Sequence, residues 1–180
     1  MYSFSTPVFL FLFEYFYTIR TERLNIRPLA LTDDQFILEL LNSEGWIEYI
    51  GDRGIRTIVE AKSYISEILN KTSVQYNVIE KINSSIPIGI LSFMKRDHLE
   101  FPDFGFALLP EFYQKGYAKE ASVGYLHNLF AKQPNLSIAA ICKRENKPSI
   151  QLLERIGFHY RHDTGNDGDQ LSVYELKKEN

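Results

Sequence analysis

The sequence predicts a single α+β domain, a mixed, mainly antiparallel central sheet flanked by helices. Two observations carry this. Short β-rich runs joined by turn residues occupy the first part of the chain, and a strand–helix–strand–helix–strand alternation follows them. No repeat, low-complexity stretch or linker divides the 180 residues, which suffice for one domain with a real core.

The elements follow in order. Leu24-Asn-Ile-Arg-Pro-Leu29 alternates apolar and polar residues and predicts a strand. Thr32-Asp-Asp-Gln35 has the form of a capping box, opening a helix with Phe36, Leu38, Leu40 and Leu41 on its apolar face. Gly45-Trp46-Ile-Glu-Tyr49-Ile-Gly51 is too short and aperiodic to assign. Thr57-Ile-Val-Glu60 is a second capping box, opening a helix through Tyr64, Ile65, Ile68 and Leu69. Val74–Glu80 and Pro87–Met94 predict a hairpin turning at Asn83-Ser-Ser85, and Asp97–Asp103 a loop. Phe104–Leu109 is the next strand, and Ala118–Ala131 a helix burying Ala121, Val123, Tyr125, Leu126, Leu129 and Phe130. Leu136–Cys142 is a strand, and Pro148–Ile156 a helix capped by Asn146. Phe158–Tyr160 and Leu171–Leu176 form a terminal hairpin.

Residues 1–17 form an apolar, aromatic extension of unassigned role, and the domain proper runs over 18–178. Pro7–Tyr17 is too short for a membrane span, Glu14 interrupts it, and it lacks the basic start and cleavage site of a signal peptide. It is expected to pack on the domain or on a second copy in a homodimer. No membrane association is expected. Hydrophobic residues make up 44% and the net charge is −3, which indicates no general nucleic-acid surface. Cys142 is the one cysteine, so no internal disulfide forms, in keeping with a cytoplasmic protein. In its apolar run it reads as a small buried hydrophobe. The four histidines lack metal-ligand spacing, and His159 and His162, three apart in a strand, are expected on opposite faces.

The most informative segment is Phe104-Gly-Phe-Ala-Leu-Leu-Pro-Glu-Phe-Tyr-Gln-Lys-Gly-Tyr-Ala-Lys-Glu-Ala121. A strand leads through a proline into a tight Gln114-Lys115-Gly116-Tyr117-Ala118 turn and then a helix. Uncovered N–H groups there, with the helix dipole and the charges of Lys115 and Lys119, suit a pyrophosphate. Downstream lies Asn146-Lys-Pro-Ser149-Ile-Gln-Leu-Leu-Glu-Arg-Ile-Gly157-Phe158.

Together the two segments resemble the acyl-CoA signature of the GNAT N-acetyltransferase superfamily. The wording of Gly116–Ala121, and the opening Thr21-Glu-Arg-Leu24-Asn-Ile-Arg27-Pro-Leu29, are similar to the branch of ribosomal-protein-alanine N-acetyltransferases. The resemblance covers nearly the whole chain and implies the GNAT-like sheet described above. It implies acetyl-CoA as cosubstrate, with pantetheine along Phe106, Ala107, Leu108 and Leu109 and pyrophosphate on Gln114, Lys115, Gly116, Tyr117, Ala118 and Lys119. It implies that Asn146, besides capping, contacts the acyl donor or a site water. Where many members carry Gln or Arg three residues before the first glycine, this chain has Tyr113. Where many carry a general-acid tyrosine, it has Leu153, and the resemblance makes Ser149 the candidate that protonates or stabilises the leaving thiolate. Trp46 and Tyr49 fall where relatives shape the acceptor pocket.

Acyl transfer to an amine needs a proton acceptor and donors for the developing charges. Asp103 and Glu100, ahead of the acyl-binding strand, are the candidate bases, with His98 behind them. A protein α-amine, with a pKa of about 8, needs less help than a lysine. The expected activity is acetyl transfer from acetyl-CoA to a peptide N-terminus or small amine by direct attack in a ternary complex. A non-catalytic acyl-CoA-binding module and an antibiotic-modifying acetyltransferase are the alternatives. Only Glu44, Glu48 and Asp52 supply acids in the variable region, which disfavours a polyamine.

Overall fold

A computed structural model describes residues 18–165 and 170–177. The N-terminal extension, and with it the expectation that it packs on the domain or on a partner, lies outside the described residues. Eight strands form one sheet: β1 (Ile19–Arg20), β2 (Leu24–Pro28), β3 (Val74–Lys81), β4 (Pro87–Met94), β5 (Asp103–Leu108), β6 (Ser137–Lys143), β7 (His159–Thr164) and β8 (Leu171–Lys177). Their order is β1-β2-β3-β4-β5-β6-β8-β7. Every pairing is antiparallel except β5 with β6, so the sheet is mixed as expected.

Five helices cover it: α1 (Asp34–Leu41), α2 (Glu44–Tyr49), α3 (Ile58–Asn70), α4 (Tyr117–Lys132) and α5 (Lys147–Arg155). On one face Trp46 and Ile65 of the first three helices pack with Tyr76, Val78 and Ile90 of the sheet. On the other, Ala121, Tyr125 and Leu126 of α4 and Leu153 of α5 pack on Leu91, Phe93 and Phe104. Phe104 stacks on Tyr125 and Phe158 at ring-centroid distances of 5.9 and 6.1 Å.

Thr57 caps α3 as its sequence predicts, accepting from the Glu60 N–H while Glu60 returns to the Thr57 N–H. The pattern at Thr32 does not cap α1. A single 3-10 turn at Leu31–Asp33 precedes that helix, and Asp33 takes the capping role, accepting from the Ala30 N–H at 2.8 Å. The Arg27 guanidinium is the reason: it donates to both Asp33 oxygens, at 2.7 and 2.9 Å, and turns that carboxylate back to the end of β2. Asp33 and Glu80 together push the Arg27 pKa up against the cost of burial.

Helix faces differ from expectation at four places. Ile37 rather than Leu38 is buried in α1, and Ser122 rather than Val123 in α4. Leu69 of α3 is exposed, and Ala61 takes a buried place. The unassigned segment around Trp46 is the short helix α2. His159 and His162 share a face, because a bulge between Tyr160 and His162 sets them against Glu175 and Val173 of β8, two residues apart. Both are exposed, and the described residues hold no cluster of metal ligands.

Gly89 is the tightest point of the sheet. A Cβ there would lie 2.3 Å from the Ala107 carbonyl oxygen and 3.0 Å from the Leu108 Cα. The obstacle is backbone, so overpacking is not relieved by a rotamer change. Gly89→Ala should lower stability by about 1–3 kcal/mol in a urea melt. An unchanged midpoint would mean that β4 and β5 separate freely here.

Candidate functional site

A cavity of about 1170 Å³ opens between β5 and β6 and reaches both faces of the sheet. It exists because the parallel pair has a single register contact, Asp103 with Ala139, closed by the Ala139 N–H on the Pro102 carbonyl at 2.8 Å. Beyond that point β5 keeps β4 on one side and has an open edge on the other. The Leu109 N–H donates to the Ile88 carbonyl. By the alternation of an antiparallel ladder, Ala107 and Gly105 also bond β4, while Phe104, Phe106 and Leu108 turn toward β6, where Phe104 closes the bridge to Ala139 and Phe106 and Leu108 meet the open edge. Phe106 and Leu108 are therefore the residues able to pair with pantetheine amides. The backbones of Ala107 and Leu109, the other two residues expected along the pantetheine, face β4. Ala107 lines the cavity by its side chain, and Leu109, on the same face of the strand, is buried in the core beneath the first three helices.

At the far end of β5, Pro110–Phe112 forms a 3-10 turn, and the chain reverses through Gln114 at φ 58° and Gly116 at φ 80°. Two left-handed residues so close together present successive N–H groups to one side, forming a nest. Gly116 is the N-cap of α4 and supplies no side chain, so the N–H groups of Tyr117, Ala118 and Lys119 have no intrahelical or capping partner. Unlike α3 and α5, which are capped by side chains, this N-terminus leaves those N–H groups available to an anion. Gln114, Gly116, Tyr117, Ala118 and Lys119 line the cavity. Lys115 does not: its carbonyl accepts from Arg23 and its ammonium lies over the Phe112 ring. These groups fit a pyrophosphate and the strand-like amides attached to it.

Arg23 is the residue that sequence reasoning missed. Its guanidinium donates to the Glu120 carboxylate at 2.6 Å and to the Lys115 carbonyl at 3.1 Å, and lies 4.6 Å from the centre of the Tyr117 ring. A Cβ on Gly116 would stand 3.4 Å from it. Burial opposes ionisation of Glu120, but hydrogen bonds from Thr21 and Arg23 hold its carboxyl below the usual range. The β1–β2 turn thus clamps the nest from outside. An Arg in a strand-opening Thr-Glu-Arg gives no local sign of this.

On the other side of the fork Asn146 caps α5, its Oδ1 accepting from the Ser149 N–H at 3.2 Å. Asn146 and Ser149 both line the cavity, as does the buried Leu153. Cys142 lines it too, on the face of β6 that packs toward α4 and α5. Burial, and then Asp103, push its thiol up to about 11, so it carries little thiolate at neutral pH.

Asp103 is not a loop acid. It opens β5, is 3% exposed, and accepts from Arg96 at 2.6 Å. Its Oδ1 is buried and has no partner at hydrogen-bond geometry, although the Ile141 N–H is turned toward the carboxylate. Burial raises its pKa, opposed by Arg96, by the Ile141 N–H and by His98. Glu100 is exposed and is not among the cavity-lining residues, so only the first of the two expected carboxylates reaches the site. Trp46 and Tyr49 of α2 line the cavity as expected. Tyr113 also has a structural reason: its hydroxyl occupies the place of a Gly45 Cβ, 2.3 Å from it, so the nest leans on the first turn of α2.

Arg23→Ala should raise the KM for acetyl-CoA by about tenfold, the loss of one charge-assisted bond, with the acceptor KM unchanged. Arg23→Lys should restore little, since a point charge cannot reproduce the fork onto Glu120 and Lys115. Steady-state kinetics at varied acetyl-CoA checks both, and an unchanged KM in the alanine variant would separate Arg23 from the nest.

The comparisons agree with this geometry. Residues 23–159 match the family model described as Acetyltransferase (GNAT) domain. An uncharacterized N-acetyltransferase, YnaD, of Bacillus subtilis (strain 168) is 29% identical over 139 residues, which are 77% of this chain and 81% of that protein. A GNAT-family acetyltransferase from Bacillus anthracis superposes with a TM-score of 0.77 at 23% identity, over 90% of this chain and 99% of that one. Two structures from Vibrio cholerae share the fold. A putative ribosomal-protein-serine acetyltransferase has a TM-score of 0.72 at 19% identity, over 89% and 97% of the two chains. A spermidine N-acetyltransferase in complex with CoA and spermine has a TM-score of 0.74 at 18% identity, over 88% and 97%. With the family model spanning most of its length, the chain belongs to the GNAT acetyltransferase family and is an acetyl-CoA-dependent acyltransferase.

Proposed function

We propose that the chain acetylates a primary amine, the N-terminal α-amine of a peptide or a small amine, by direct attack within a ternary complex in the cytoplasm. The observation that carries this is the unpartnered, buried Oδ1 of Asp103 at the base of the fork, in the same cavity as the open edge of β5 and the first turn of α5. An incoming ammonium would find an acceptor there. Asp103 takes one proton from the ammonium, the amine nitrogen attacks the thioester carbonyl, and the adduct collapses with cleavage of the C–S bond, the nitrogen's second proton passing to the departing sulfur, to which Ser149 donates a hydrogen bond. Asn146 holds the helix turn that presents Ser149. A covalent relay through Cys142 is disfavoured by its raised thiol pKa. The likeness to ribosomal-type and spermidine enzymes is of fold only, so the α-amine rests on the sequence motifs and on the charge of the cavity. Asp103 is the one carboxylate among its lining residues, a poor lining for a polycation.

Asp103→Asn should lower kcat by about a hundredfold with the KM for acetyl-CoA unchanged. The sign of the pH dependence follows from burial. The raised carboxyl loses its proton only above the ordinary aspartate range, so activity should rise with pH through that raised value. That acid limb should vanish in Asp103→Asn. Ser149→Ala should lower kcat by about tenfold. Thiol release from acetyl-CoA, followed with short peptides, polyamines, aminoglycosides and amino acids, checks each. Wild-type kcat in either variant would remove that residue from the reaction.

A further inference from the structure

The part of the cavity facing α2 and α3 has a charge pattern of its own. Its floor follows from the strand register: Tyr76, Ser92 and Gly105 lie side by side across β3, β4 and β5, on the face that also carries Asp103. A Cβ on Gly105 would stand 2.6 Å from the Ser92 Oγ, so the glycine keeps that hydroxyl open to the cavity. At the base lies Asp103 with its unpartnered oxygen. On the wall are Trp46, 3% exposed and with an indole N–H that has no acceptor, and Tyr64, whose hydroxyl is within 3.2 Å of that of Tyr76. Three cations, Arg53, Lys71 and Lys143, complete the lining; Lys143 is held by the Glu48 carbonyl, and Arg53 and Lys71 make no ion pair among the described residues. Acids do stand nearby. Asp52 is paired with Arg56, Glu48 hydrogen-bonds Tyr49 and acts with Glu44 on Tyr113, and Glu67 touches Tyr64 electrostatically, though less than Arg53 does. The acceptor end therefore offers one buried anion at its base, one buried N–H donor, and two unneutralised cations toward its mouth.

We propose, on the N-acetyltransferase reading above, that the acceptor is an amine bearing an anionic group near that amine: the ammonium goes to Asp103 and the anionic group to Arg53 and Lys71. The chemistry recognised is a primary amine with a nearby carboxylate, supplied by an acidic side chain early in a peptide or by the α-carboxylate of a small amino acid. Trp46 donates to a carbonyl or carboxylate oxygen between the two charges. The apolar wall of Trp46, Tyr64 and Ile68 takes the carbon skeleton and raises the strength of both ion pairs by excluding water. A polyamine would meet repulsion at the mouth in place of a partner.

The test is thiol release from acetyl-CoA with tripeptides that share a serine N-terminus, differ only by Asp, Asn or Lys at the second position, and end in an amide. A parallel set with free C-termini, and free aspartate and glutamate, distinguishes a side-chain from an α-carboxylate. The acidic member should have a KM about fivefold below its amide isostere, narrowing with added salt. Arg53→Gln with Lys71→Gln should erase the difference, and Arg53→Glu with Lys71→Glu should reverse it in favour of lysine. Both side chains belong to exposed residues, and an unchanged KM for acetyl-CoA shows that the variants are folded. Equal KM values across the wild-type series, or a preference untouched by the charge reversal, would overturn this inference and leave the N-acetyltransferase reading standing. Bound CoA with no turnover of any amine would overturn that reading, and this inference with it.

Discussion

The parting of β5 from β6 just after Asp103 is the constraint on which the rest of the molecule depends. A strand edge inside a domain leaves N–H and C=O groups that must find partners. Here the backbone of Phe106 and Leu108 is left facing a cavity. The fork is held open from both ends. At its base Asp103 is fixed by Arg96, and Phe104 fills the space beneath by stacking between Tyr125 and Phe158. At its mouth the absence of a side chain on Gly89 lets Leu108 close onto β4. A ligand with amides spaced like a strand restores the missing ladder, and this is how a chain can bind a flexible tether with few side chains.

The two ends of the cavity are mechanically joined. Tyr113, next to the nest, rests on Gly45 in the first turn of α2. From the other side of the fork, Lys143 donates to the Glu48 carbonyl at 2.9 Å. Helix α2, of six residues, is too short to hold itself together. Its place comes from these two braces and from burial of Trp46. The wall facing the amine is therefore set by the same loop and strand that hold the acyl donor, so filling one end biases the shape of the other.

What the sequence made legible was local. The nest at Gly116, the caps at Thr57 and Asn146 and the β3–β4 hairpin each depend on residues a few positions apart, and each was read correctly. The misreadings share one cause, interactions between distant segments or between layers. Thr32 had the spacing of a cap, but the half-buried Arg27 claimed its neighbour Asp33. Arg23 reaches Lys115 and Glu120 across sequence separations of 92 and 97, which no local pattern records. Asp103 looked like a loop acid because strand pairing, not composition, decides where β5 begins. A bulge near Arg161, invisible in the alternation of its strand, put two histidines on one face.

The fork also sorts the chemistry by face. Residues that alternate along β5 and β6 point to different layers, so the cavity passes from one environment to the other. Toward α4 and α5 it is lined by Phe104, Phe106, Cys142 and Leu153, an apolar passage suited to a thioester tail. Toward α2 and α3 it is lined by Ser92, Gly105 and Asp103, with Trp46 above them, a polar chamber suited to an amine. On the reading proposed above, the two reactants enter from opposite sides of the sheet and meet where its strands part. The one thiol of the cavity lies on the apolar side, where burial, and then the charge of Asp103 across the fork, keep it protonated.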